Sequence, residues 1–181
     1  MRYLGCLLLL ILSACGYRFG QGELLNSYQT VSIPYIIGDT YGEFTAAVIK
    51  KVSETTNLSY VNDGGDLILQ IKILEIKDEN VGFRYERNKK GQLIHYIIPT
   101  ETRLLALGEI QMVDAETGSI VTGPYQFSAN IVFDHDYYSS RNAINIFSLG
   151  QLIDYDAAYD AALRPLSQAF ADKVADILLC K

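Results

Sequence analysis

The residues from Asp66 to Arg87 carry the feature that most constrains the fold. Their apolar and polar side chains alternate at a spacing of two, which is the pattern of a half-buried β-strand. The apolar set begins with Leu67, Leu69, Ile71 and Ile73. After Ile73 the alternation changes phase, since Leu74 and Ile76 are now the apolar residues, and such a change predicts a bulge or a sharp twist.

Two more long β segments follow this strand. The turn "NKKGQ" (88–92) leads to "LIHYIIP" (93–99) and "TETRLLALGEIQMV" (100–113), and "DAETG" (114–118) predicts a tight hairpin turn. The next strand has its apolar residues on odd positions: Val121, Tyr125, Phe127, Ala129, Ile131 and Phe133. Pro124 in this segment indicates an edge strand or a bulge.

Two segments have helical periodicity. In the first, Asp39 or Thr40 is placed to cap a helix, and the apolar stripe comprises Tyr41, Phe44, Val48 and Val52. The second runs from about Asp156 to Leu179, with a stripe of Leu166, Phe170, Val174 and Ile177. Pro165 is expected to kink this helix or to split off its first turns.

With the short strands Thr30–Ile36 and Leu58–Val61, the element order is β-α-β-β-β-β-α. The first β-α-β unit favours a parallel pair of strands, and the rest is joined by hairpins. We therefore predict an α+β fold, with a small mixed, mainly antiparallel β-sheet and two α-helices packed on one face. The 181 residues, of which 49% are hydrophobic, suffice for one domain with a packed core.

The first 14 residues, "MRYLGCLLLLILSA", have the layout of an export signal. Arg2 precedes an apolar run, Leu7–Leu12, that is too short to span a bilayer as a helix. The residues Leu12-Ser13-Ala14-Cys15 resemble the lipobox of bacterial lipoproteins, in which the cysteine thiol receives a diacylglycerol and its amine is usually acylated too. The alternative is a plain signal peptide in which Cys15 is incidental.

This interpretation divides the chain into a lipoprotein signal peptide (1–14), a lipidated N-terminus and tether (15–29) and a single domain (30–181). Gly16, in the sorting logic that the lipobox resemblance implies, favours the outer membrane, with the lipid in its inner leaflet. If Cys6 leaves with the signal and Cys15 carries lipid, only Cys180 remains, so no disulfide within the mature chain is expected. Cys180 is either a bystander or a partner in a disulfide between chains.

The sequence has few of the patterns that carry catalysis. Its net charge of −6 disfavours nucleic-acid binding. His95 lies in a strand, while Asp134, His135 and Asp136 are adjacent residues that converge poorly on a metal ion, so we expect a solvated loop there. The sequence contains no nucleophile elbow, phosphate-binding loop or dinucleotide motif. We therefore expect no enzymatic activity, cofactor or metal.

One basic cluster interrupts this acidic chain. It comprises Arg84, Arg87, Lys89 and Lys90. Such a cluster could form charge-assisted hydrogen bonds with lipid phosphates. The alternative is a hairpin tip whose charges only keep the protein soluble.

Several short motifs, in order, resemble the lipopolysaccharide-assembly lipoprotein family, LptE. They are "CGYRFG", "VSIPYI", "GGDLILQIKILEIKDENVGF", "DAETG", "FSLGQL" and an Ala-rich C-terminal helix. The resemblance implies a non-enzymatic α+β lipoprotein of the outer membrane, facing the periplasm. It also implies that the protein plugs an LptD-like β-barrel and binds lipopolysaccharide, for which the basic cluster is the candidate contact.

Two other functions remain open from the sequence. An outer-membrane lipoprotein could instead scaffold or activate a periplasmic cell-wall enzyme. A small hydrolase or metal protein is the third class, which the lack of catalytic motifs disfavours.

Overall fold

The computed structural model of the protein describes residues 25–88, 90–135 and 155–180. The strands are β1 (Thr30–Ser32), β2 (Ser59–Val61), β3 (Leu67–Arg87), β4 (Leu93–Asp114) and β5 (Ile120–Asp134). The helices are α1 (Glu43–Thr55) and α2 (Tyr155–Leu179), and a single 3-10 turn covers Leu25–Ser27. This order confirms the predicted one. Cys15, Lys89 and the motif "FSLGQL" lie outside the described residues.

The five strands form one mixed sheet in the order β2-β1-β3-β4-β5. β1 lies parallel to both of its neighbours, β2 and β3, as the β-α-β unit predicts. The β3–β4 and β4–β5 pairs are antiparallel hairpins. The predicted α+β class, with two helices and a mainly antiparallel sheet, is therefore confirmed.

Phe170 of α2 joins the two helices to the sheet. Its ring meets Phe44 of α1 edge-on, with 5.3 Å between ring centroids, and lies 4.7 Å from the ring of Phe127 of β5. Gly108 of β4 leaves room for this packing, because a Cβ atom there would come within 2.6 Å of both Phe127 and Phe170. The apolar residues predicted to share one face of β3 are also buried in this core: Leu67, Leu69, Ile71 and Ile73.

Two irregularities of the sheet lie where the sequence predicts them. Ile73 pairs with Gly108 while Glu75 pairs with Leu107, so Leu74 is an extra residue in a bulge. In β5 the register also shifts, between the Ile110–Tyr125 pair and the Met112–Thr122 pair. Pro124 lies within this second irregularity, on a strand at the end of the sheet, where its missing N–H costs no ladder hydrogen bond.

The start of α1 differs from its prediction. The residue before the helix is Gly42, at a φ of 78°, and no side chain at that position caps it. Asp39 caps from further back, since its carboxylate accepts hydrogen bonds from the backbone N–H of Gly42 and from both the N–H and the hydroxyl of Thr45. Tyr41, predicted to belong to the apolar stripe, is 79% exposed because the helix begins only after it.

Helix α2 runs from Tyr155 to Leu179 without interruption, so Pro165 does not split off its first turns; the other predicted alternative, a kink at Pro165, stays a prediction. Proline removes one intrahelical hydrogen bond, but the apolar residues on both sides of it stay packed. Ala162 and Leu166 are both buried in the core. Burial of the helix face therefore outweighs the local cost of the proline.

The described part of the predicted tether, from Leu25 onwards, packs against the domain. Leu25 is buried in the core, although its sequence context is that of a tether. The Tyr28 hydroxyl donates a hydrogen bond to Asp114 Oδ2 at 3.2 Å. These contacts attach the segment to the end of β4.

Candidate functional site

The β3–β4 hairpin extends beyond the rest of the sheet. β5 pairs with β4 only as far as Glu101, and β1 pairs with β3 only at Leu67 and Ile68, followed by an isolated bridge from Ile37 to Lys72. In the part of the chain that the structure describes, the far end of the hairpin is therefore two-stranded. We call residues 82–88 and 90–99 the hairpin arm.

One face of the hairpin arm exposes apolar side chains. Phe83 lies opposite Pro99, and Tyr85 lies opposite Ile97, so these residues share a face. Phe83, Tyr85, Leu93 and Ile97 are between 52% and 64% exposed. Large apolar side chains gathered on a protruding surface indicate an interaction site.

The described members of the basic cluster lie on the same arm. Arg84 is exposed on the opposite face from Tyr85 and lies across from the buried Ile98. Arg87 and Lys90 are exposed near the turn, where Arg87 Nη1 donates to the carbonyl oxygen of Gly91 at 3.0 Å. The structure therefore brings three of the four predicted cations to one end of the molecule; the fourth, Lys89, lies outside the described residues.

The turn at the end of the arm is held by Asn88. Its side-chain oxygen accepts hydrogen bonds from the backbone N–H groups of Lys90, at 2.9 Å, and Gln92, at 3.0 Å. An asparagine that bonds the backbone two residues on is a common way to fix a turn. The positions of Arg87 and Lys90 are thus set by a defined turn.

A buried polar cluster lies at the base of the arm, and the sequence analysis missed it. Thr102 donates from its hydroxyl to Asn80 Oδ1 at 2.9 Å, and its Oγ1 lies 2.9 Å from His135 Nε2. Since the threonine proton goes to Asn80, His135 donates through Nε2–H, which leaves Nδ1 as an acceptor. That Nδ1 atom is buried and, among the residues that the structure describes, has no hydrogen-bond partner.

The prediction that His135 lies in a solvated loop is therefore wrong. The backbone N–H of His135 donates to Thr100 at 3.0 Å, which continues the ladder between β4 and β5. Its ring, 8% exposed, packs edge-on against Tyr155 with 5.1 Å between centroids. The sequence offered one usable signal, because His135 continues the odd-numbered apolar face of β5.

Tyr155 connects this cluster to β3. Its hydroxyl donates a hydrogen bond to Asp78 Oδ2 at 2.8 Å. Burial and this bond to a carboxylate both disfavour the phenolate, which raises the pKa of Tyr155 to about 12. Burial, followed by the charge of Asp78, also raises the pKa of Tyr159.

The described surface also has an open groove of about 580 Å³ between α1 and α2. Acidic and basic side chains both line the groove, and Lys51 and Asp172 form an ion pair across it at 2.6 Å. Among the residues that the structure describes, no group of three or more His, Cys, Asp or Glu side chains is placed to hold a metal ion. Neither described helix has the length and apolarity that a membrane crossing requires.

Comparison with solved structures shows that this fold occurs among bacterial lipoproteins. The minor lipoprotein from Acinetobacter baumannii is 13% identical, with a TM-score of 0.51 over 84% of this chain and 92% of that one. A protein described as a lipoprotein from Caulobacter crescentus is 11% identical, with a TM-score of 0.50 over 83% of this chain and 88% of that one. At these identities the likeness shows the fold alone.

Rare lipoprotein B from Shewanella oneidensis is also similar, at 14% identity over 83% of this chain and 89% of that one. Its TM-score of 0.42 is too low to support a conclusion. No protein-family model matches the sequence, and no curated protein matches it. The shared fold is consistent with the resemblance to the LptE family.

Proposed function

We propose that this chain is an outer-membrane lipoprotein that plugs an LptD-like, lipopolysaccharide-translocating β-barrel and assists lipopolysaccharide assembly at the cell surface. The proposed role is one of binding, not catalysis. Cys15 would carry the lipid anchor on the periplasmic side of the membrane. The fold shared with solved bacterial lipoproteins and the sequence of the N-terminus support this proposal.

The hairpin arm is the observation that carries the proposal. Residues 84–90 contain four cations and one carboxylate, Glu86, although the whole chain has a net charge of −6. The same arm exposes the apolar side chains of Phe83, Tyr85 and Ile97. An arm that exposes cations next to apolar groups matches the chemistry of lipid A, which has phosphate groups and acyl chains.

Lipopolysaccharide binding by the purified full chain tests the role of the arm. Reversing Arg84, Arg87, Lys89 and Lys90 together to Glu is expected to weaken binding by about tenfold or more, because favourable charge pairs become repulsive. A matched control reverses an equal number of exposed cations elsewhere: Lys50, Lys72, Arg164 and Lys173. Equal binding by the two reversed proteins would mean that only total charge matters and that the arm is a solvated tip.

A second variant tests the contribution of the apolar face of the arm to binding, independently of the charges. Tyr85→Ser with Ile97→Ser removes two exposed apolar side chains that lie opposite each other. We expect weaker binding of lipopolysaccharide but unchanged binding of inorganic phosphate, since the acyl chains lose contact area. Circular dichroism and thermal unfolding would show that both arm variants remain folded.

Depletion of the protein in cells tests the broader role. If the protein assists lipopolysaccharide assembly, depletion lowers the lipopolysaccharide exposed at the surface while cell-wall synthesis continues. Loss of cell-wall crosslinking with normal surface lipopolysaccharide would instead support the alternative, a scaffold for a periplasmic cell-wall enzyme.

A further inference from the structure

Besides the free side of β4 within the hairpin arm, the described sheet has three stretches of open edge, and two of them are protected against pairing. Open edges pair with other strands unless they are short, charged or interrupted by proline. β2, at one end of the sheet, has only 3 residues. The free side of β3 beyond Ile73 is rich in charge, with Glu75, Lys77 and Glu79 close together.

The third edge, along β5, lacks such protection over most of its length. Between Pro124 and Asp134 the strand contains no Asp, Glu, Lys or Arg. Over this stretch its register with β4 is unbroken, from the Tyr125–Ile110 pair to the Asp134–Glu101 pair. Among residues 25–88, 90–135 and 155–180, no strand pairs with its other side.

The hydrogen-bonding direction of β5 follows from His135, the residue directly after the strand. His135 donates its backbone N–H to Thr100 on β4, and antiparallel pairs alternate between bonded and non-bonded positions. Odd-numbered residues of β5 therefore direct their backbone groups towards β4, and even-numbered ones direct them outwards. The outward set with exposed side chains is Gln126, Ser128, Asn130 and Val132.

We propose that this β5 edge binds an extended β-strand of another polypeptide, which adds a sixth strand to the sheet. Backbone hydrogen bonds to the even-numbered residues would provide affinity. Because the edge is uncharged and its residues alternate between core-facing and exposed, the fitting partner is a short, uncharged segment with alternating apolar and polar residues. This inference is independent of lipopolysaccharide binding by the hairpin arm.

The position of α2 favours a single strand of another polypeptide, rather than a second copy of this chain, as the partner at the β5 edge. Phe170 of α2 packs on Phe127 of β5, so the helix lies over this end of the sheet. Neighbouring strands are about 4.8 Å apart, whereas a helix with its side chains is about 10 Å wide. If two β5 edges paired antiparallel, both copies of α2 would compete for the same space. A strand without a covering helix avoids that conflict.

A synthetic peptide with the sequence of residues 125–133, "YQFSANIVF", is a suitable probe. The peptide is aligned antiparallel to β5 and centred on Ala129. Its first residue, Tyr, then lies opposite Phe133, and its third residue, Phe, lies opposite Ile131. The peptide carries a fluorophore, and a Lys tail keeps it soluble. Its binding to the full chain in detergent is measured by fluorescence anisotropy. We expect saturable binding, which is lost when alternate backbone nitrogens of the peptide are methylated.

Variants at Ser128 locate the peptide on the edge. Ser128→Pro removes an outward N–H but no bond to β4, so it is expected to weaken peptide binding by about tenfold while the sheet stays intact. Ser128→Ala is the matched control and should bind as the wild type does. Asn130→Lys, which keeps every backbone donor, places a charge on the edge and should also weaken binding.

Three results would overturn the proposal. The wild-type chain could fail to bind the peptide, or Ser128→Pro and Asn130→Lys could both bind it as the wild type does. The third is that the protein sediments as a dimer that Ser128→Pro dissociates, in which case a second copy of this chain occupies the edge.

Discussion

Replacing Phe170 with Ala is expected to remove a large part of the stability of the domain. The ring is fully buried, and it contacts Phe44 of the other helix and Phe127 of the sheet. Truncating such a buried aromatic residue typically costs about 3–5 kcal/mol, since it loses transfer free energy and leaves a cavity. Against a typical total of about 5–15 kcal/mol, this is about a fifth or more of the free energy of unfolding.

Urea unfolding measures this effect directly. We expect the midpoint concentration of Phe170→Ala to fall while the slope stays unchanged, because the folded topology is the same. Gln168→Ala, at an exposed position of the same helix, is the control and should change the free energy of unfolding by less than about 0.5 kcal/mol. A loss below about 1 kcal/mol for Phe170→Ala would refute the view that this ring holds the two helices to the sheet.

Further predictions concern the packing, the cap and the alkaline limit of stability. Gly108→Ala should destabilise the fold by about 1–3 kcal/mol in urea unfolding, because its Cβ meets Phe127 and Phe170; unchanged stability would mean that the rings can move away. Asp39→Ala should cost about 1–3 kcal/mol, since it leaves the Thr45 donors without their acceptor, and Asp39→Asn should recover part of this loss. The raised pKa of Tyr155, about 12, means that its contribution to stability is complete below its ordinary pKa and is lost as pH rises towards the raised value. Thermal unfolding of the wild type should therefore weaken between about pH 10 and 12 more steeply than that of Tyr155→Phe, and equal slopes would contradict the role of its bond to Asp78.

The strands and their irregularities were predictable because the alternation of apolar and polar residues shows which side chains face the core. The odd-numbered face of β5 and the phase change after Ile73 both reflect burial on one side of a sheet. Pro124 marked an edge strand because proline cannot donate to a ladder on both sides. These are local rules that act over a few residues, so the sequence alone suffices.

One error has a local cause, and the others arise where residues distant in the sequence decide the outcome. Tyr41 fits the helical spacing, but Gly42 turns the chain and the helix starts after it. His135 lies between two acidic residues, yet its partner Thr102 comes from another strand. Pro165 stays inside a continuous helix because the residues around it are buried by the core. Tertiary packing overrides local preference at His135 and Pro165.

The candidate site was predictable in composition but not in shape. The cluster at Arg84, Arg87 and Lys90 is evident from charge alone. Its location on an arm that passes beyond β5 depends on where β5 stops pairing, at Glu101, which is a property of register. The exposure of the apolar side chains next to these cations also depends on where β5 stops pairing.

Isolation of the protein with its membrane partner tests the central claim most directly. The full lipidated chain, tagged at its C-terminus, is extracted in mild detergent, and the mass and composition of the captured complex are measured. The account predicts a stoichiometric complex with one outer-membrane β-barrel of the LptD type. Repeated capture of cell-wall enzymes without any barrel would contradict it.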